Sequence, residues 1–242
     1  QTPPKKISVS IMELTPDIAV LSTEFVKNMP PRLTAGTGVD ALSHAISAYF
    51  SASHNPLSDF VSLQAIELIK KYLLRAYKRG DDTEARERLQ IAAFLGGLGI
   101  GNAAVSMEHS LGHSFGSVFP LHHGVAVGLF TPYSIQFLAK NSDRYVEIAR
   151  RFGIPVENRP REEILKDFIN DYKSFLREMD LPTCVKEIKE PKITRQEYME
   201  KLDELIQFAR DDLCTYTSAR VATLEDYRNI YIYAYDGRDI DF

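Results

Sequence analysis

No stretch of this 242-residue chain approaches the roughly 20 consecutive apolar residues that cross a bilayer, and its opening, QTPPKKISVS, lacks the apolar core of a signal peptide. Cysteine is scarce. Cys184 and Cys214 are the only two and lie outside any metal-type pair, so a reducing compartment fits. Positive charge is not in excess either: 29 Lys and Arg against 33 Asp and Glu leave a formal net charge of −4, which offers no basic field to nucleic acid. Internal repeats, low-complexity tracts and domain linkers are missing as well. What is present is ordinary for a globular chain able to bury a core, with 44% hydrophobic and 26% charged residues. The expectation is a soluble, cytoplasmic protein without nucleic-acid or membrane partners.

Strand signals are few. ISVSIMELTPDIAVLS, ending at Ser22, has β-branched residues and the short apolar run IAVL, predicting one or two strands. STEFVKNMPP predicts a short helix opened by Ser22 or Thr23 and closed by Pro30-Pro31. LTAGTGVDALSHAISAYFSAS follows at helical spacing, and residues 57–77 form a long amphipathic helix. The apolar, glycine-containing stretch from Glu84 to Gly116 is expected in the interior, and GVAVGLFTPYSIQFLAK as another buried helix containing Pro132. Helical patterns recur near 143–152, 162–179, 194–209 and 223–235. The fold class is therefore mostly α, with a short β-rich lead-in.

Histidine is unevenly distributed. SMEHSLGHSFGSVFPLHHGVA, residues 106–126, holds four of the six histidines, and His44 stands in TGVDALSHAIS. Asp40 and His44 are four residues apart on a helix, as are His109 and His113, so each pair shares a face. Adjacent His122 and His123 point about 100° apart, so at most one of them aims at the same centre. A carboxylate with several neutral imidazoles suits Fe²⁺, Zn²⁺ and related ions. One carboxylate and three imidazoles leave such a centre with net positive charge, able to polarise a carbonyl if a position stays open. Spacing by itself does not choose which four groups bind.

ELTPDIAVLSTEFVKNMPPRLTAGTGVDALSHAISAYFS and HSLGHSFGSVFPLHHGVA together resemble the iron-containing alcohol dehydrogenase family, from about Glu13 to the closing TYTSARVATLEDYRNIYIYAYDGRDIDF. That family shares an all-helical C-terminal domain with dehydroquinate synthase and glycerol dehydrogenase. The resemblance implies that Asp40, His44, His109 and His123 bind Fe²⁺ or Zn²⁺, with His123 selected over His122. It further implies that His113 is catalytic, passing a proton beside the metal.

Three departures stand out. Ser47 and His122 occupy positions where many relatives carry Glu and Pro, and Ser47, one turn after His44, alters the expected support of that ligand. The family's nucleotide-binding half is also absent: no G-x-G-x-x-G follows a strand. Residues 1–22 are accordingly expected to be a lead-in from the junction with that half, and 23–242 the helical catalytic domain. Gln1 in place of Met fits a processed chain, an excised piece or the C-terminal part of something longer. The implied activity is NAD- or NADP-linked interconversion of a small alcohol and its aldehyde or ketone, by a homo-oligomer such as a dimer, with the dinucleotide bound by the missing half. A glycerol dehydrogenase or dehydroquinate synthase-like metalloenzyme is the alternative on the same frame, and a non-catalytic metal-binding or oligomerisation module the alternative outside enzymes.

Overall fold

The computed structural model describes Lys6 and residues 14–242. Among these the chain runs through α1 (Pro31–Phe50), α2 (Pro56–Lys78), α3 (Thr83–Ala103), α4 (Met107–Val118), α5 (His123–Leu138), α6 (Tyr145–Phe152), α7 (Arg161–Arg177), α8 (Arg195–Glu200), α9 (Leu202–Asp211) and α10 (Leu224–Asp236). Local chemistry fixes several starts. Asn55 Oδ1 accepts from the backbone N–H groups of Leu57 and Ser58 at the head of α2, and Asp82 Oδ1 accepts from Ala85 N–H at the head of α3. No single helix among the described residues is long and apolar enough to cross a membrane.

The expected strand at IAVL is not formed. Ile18 and Val20 are exposed, and no segment among the described residues lies alongside to pair their backbone groups. Among the described residues the β-type pairing is a single isolated antiparallel bridge, Ser51 with Ser218. The remainder of the β-rich lead-in, residues 7–13, lies outside the described residues. The helix expected before Pro30 shrinks to a 3-10 turn, Thr23–Phe25, while Pro31 opens α1 instead of closing what precedes it. A first helical residue needs no N–H partner, so proline is at home there.

α1, α2 and α3 pack on one another, α4 packs on α5, and α5 crosses α1, which ties the two groups together. α5 is buried from Gly124 to Leu138. It lies close because two glycines remove the atoms that would hold it away: a Cβ on Gly124 would stand 2.1 Å from Gly36 O, and one on Gly128 2.2 Å from Val39 Cγ1. Pro132 inside α5 leaves Gly128 O without its helical donor. The Tyr172 hydroxyl, from α7, donates to that oxygen at 3.3 Å.

The expectation of a wholly interior 84–116 segment needs correction. α3 and α4 meet at 105° across Ala104, whose φ is 59°, and α3 is only half covered. Gly96 and Gly99 face α1 and α2, whereas Phe94 and Leu98 are exposed and Gly97 and Gly101 face open space. Among the described residues the 3-10 turn Thr23–Phe25 reaches that second side at its start, where Gln90 Nε2 donates to Ser22 O.

Candidate metal centre

α1 supplies two neighbouring donors. Asp40 and His44 stand one turn apart, and His44 Nε2 lies 3.9 Å from Asp40 Oδ1. The bend after α3 then carries α4 across the end of α1, where Ser106 N–H donates to Ser47 Oγ, and this sets His109 Nε2 at 3.9 Å from the same Asp40 oxygen. Gly124 lets the start of α5 reach Asp40, bringing His123 Nε2 to 3.3 Å. One donor atom from each of Asp40, His44, His109 and His123 falls within 4.8 Å of all the others. Donors about 2.0–2.2 Å from a tetrahedral Zn²⁺-sized ion stand about 3.3–3.6 Å apart; the 3.3 Å contact lies in that range and the two at 3.9 Å are slightly wider, so the four donors converge on one ion-sized space.

Hydrogen bonding points the same way. Asp40 Oδ1 and His109 Nε2 are buried and have no hydrogen-bond partner among the described residues. Burial acts to raise the Asp40 pKa, but the neighbouring imidazoles of His123, His44 and His109 outweigh it and hold the carboxyl below its ordinary range. Burial, followed by the nearby His109, pushes His44 down to about 4. Both groups are therefore kept in the forms that bind metal, carboxylate and neutral imidazole.

His122 stays outside the cluster. It is exposed at the head of α5, and its Nδ1 lies where a Cβ on Gly36 would stand, 2.9 Å away. His54 is also elsewhere, paired with Asp59 at 3.3 Å. His113 stacks on His123 with ring centroids 5.1 Å apart, and its Nδ1 donates to Asp212 Oδ2 at 2.9 Å. Asp212 Oδ1 accepts from Cys214 N–H. Burial would raise the Asp212 pKa, but these bonds from His113 and Cys214 keep it below the usual carboxylate value.

Ser47 sits beside a different imidazole from the one expected of it. Its Oγ lies 3.3 Å from Nδ1 of His109, not beside His44, because α4 crosses α1 at that turn. Two carboxylates of the site escaped sequence reasoning. Glu108 Oε1 lies 3.0 Å from His109 Nδ1, and its only sequence signal is a charge within an otherwise small and apolar stretch. Asp212 reaches His113 across 99 positions, which nothing local announces.

A family model described as the C-terminal part of the Fe-containing alcohol dehydrogenase family matches residues 34–235. The chain belongs to the iron-containing alcohol dehydrogenase family. It is 37% identical over 238 residues to the NADPH-dependent butanol dehydrogenase of Clostridium saccharobutylicum, covering 98% of this chain and 60% of that one. With the NAD-dependent methanol dehydrogenase of Bacillus methanolicus it shares 30% identity, over 93% of this chain and 58% of the relative. The iron-containing alcohol dehydrogenase of Thermococcus thioreducens superposes with a TM-score of 0.83 at 28% identity, covering 95% of this chain and 57% of that structure. The chain thus spans about three-fifths of the length of these relatives. The all-helical fold expected from the resemblance is the one observed.

Proposed function

We propose that Asp40, His44, His109 and His123 together hold one divalent iron, or a related ion such as zinc, and that this chain is the metal-binding part of an NAD(P)-linked dehydrogenase of small alcohols and aldehydes. The observation that carries the reading is the pair of buried, unpartnered atoms, Asp40 Oδ1 and His109 Nε2, 3.9 Å apart. Leaving one such atom unsatisfied costs about 1–3 kcal/mol. A divalent ion satisfies both at once.

Bound there, the ion supplies Lewis-acid polarisation of the substrate oxygen. His113 donates its Nδ1–H to Asp212, so its Nε2 takes the substrate hydroxyl proton during oxidation and returns it during reduction. A nicotinamide dinucleotide, when bound, would supply the hydride acceptor and donor for the substrate carbon. The dinucleotide is assigned to protein outside residues 1–242, because a glycine-rich strand-to-helix turn is the usual pyrophosphate cradle and none is found here. The names of the relatives, a butanol and a methanol dehydrogenase, support a small alcohol as substrate.

Elemental analysis tests the centre. Replacing Asp40, His44, His109 or His123 by Ala is expected to lower bound iron or zinc, and unchanged stoichiometry and affinity in His109→Ala would sink the assignment. Calorimetry with NAD and NADP tests the cofactor arrangement, with no micromolar binding expected from the chain by itself.

A further inference from the structure

We propose that Glu108 is the outer carboxylate of the metal centre, a positioning residue that locks His109 in the tautomer a ligand needs and so raises the affinity of the site for a divalent ion. This rests on the four-ligand reading above. Glu108 is 2% exposed, and a buried carboxylate is costly unless it is paired and hydrogen-bonded. Among the described residues no lysine or arginine pairs with it. Its partners are His109 Nδ1, 3.0 Å from Oε1, and the Ser134 hydroxyl on α5, which donates to Oε2 at 3.1 Å.

The contact is not a default of the backbone, since helix neighbours point about 100° apart. Ser134 holds the carboxylate in place from the facing helix. A carboxylate only accepts, so the hydrogen of His109 sits on Nδ1 and the lone pair on Nε2, the atom left without a hydrogen-bond partner beside Asp40 Oδ1. A carboxylate behind a ligating imidazole fixes the ring and increases its basicity, and losing such a partner typically weakens metal binding 10–100-fold. Ser47 Oγ approaches the same Nδ1 from α1 at 3.3 Å. A carboxylate introduced at position 47 would therefore reach the same nitrogen.

The test uses the metal-free chain titrated with Co²⁺ against a competing chelator, with the His109 tautomer read by imidazole nitrogen NMR. Glu108→Ala is expected to weaken Co²⁺ binding 10–100-fold and to shift His109 away from the Nδ1–H form. Glu108→Gln, which keeps the shape, is expected to lose less. Ser47→Glu in the Glu108→Ala background should recover most of the loss. Unchanged affinity in both single variants would overturn the proposal, as would weaker binding with the Nδ1–H tautomer intact, or a folded double variant with no recovery. A parent chain that binds no Co²⁺ would instead sink the metal centre itself.

Discussion

Asp212 accepts the Nδ1–H of His113 at 2.9 Å and so decides which ring nitrogen of His113 keeps its lone pair. In the complete, metal-loaded enzyme, His113→Ala is expected to keep its metal while turnover falls on the order of 10²–10⁴-fold, the usual contribution of a general acid–base group. Asp212→Ala should cost less, because the imidazole survives with its tautomer unfixed. Steady-state kinetics with metal analysis on the same samples check both. Loss of metal in step with activity would make His113 a ligand.

His122 and His123 are expected to separate cleanly. His123 is the member of the pair beside Asp40, whereas His122 lies over Gly36. His123→Ala should strip bound iron or zinc, and His122→Ala should leave it unchanged, since the His122 ring lies outside the donor cluster. The reverse outcome would reassign the fourth ligand.

Gly124→Ala is expected to damage both stability and the site. Its methyl group would stand 2.1 Å from Gly36 O and 2.8 Å from Asp40 Cβ, so α5 must move off α1. Overpacking of this kind costs about 1–3 kcal/mol. Urea denaturation measures the first effect and metal affinity the second, and a variant equal to the parent in both would show that the crossing has slack.

The metal-free chain should lose stability between about pH 6.5 and about pH 4, the interval over which His44 binds a proton when unfolded and resists it when folded. Protons therefore favour the unfolded state as the pH falls through that window. Thermal melts of the parent and of His44→Gln check the sign: the variant should show a shallower slope there, and identical slopes would remove His44 as the cause.

Much of this was legible in the sequence, and the boundary has a physical basis. Asp40 and His44, with their four-residue spacing, and the crowded histidines of 106–126 are local signals that helix geometry converts directly into shared faces. The long apolar periods likewise mark α2 and α7. The IAVL run misleads because a strand depends on a partner, which period alone does not supply. Tertiary partners are the other blind spot. Ser47 is read beside His44 from its spacing but meets His109, since α4 is placed by the turn at Ala104 and by its close seat on α5, where a Cβ on Gly112 would stand 2.7 Å from Val127 Cγ2, and neither lies near Ser47 in sequence.

Asp40 and His44 belong to α1, His109 to α4 and His123 to α5, so no single segment of the emerging chain carries the whole ligand set. Before folding, the crowded imidazoles of 106–126 would rank incoming ions by intrinsic affinity, an order headed by copper. Only the finished crossing of α1, α4 and α5 adds the Asp40 carboxylate and fixes the spacing of the donors. A metal held by the proposed ligand set is therefore lost as a unit when the helices part, and its affinity for the folded chain adds to the stability of that crossing.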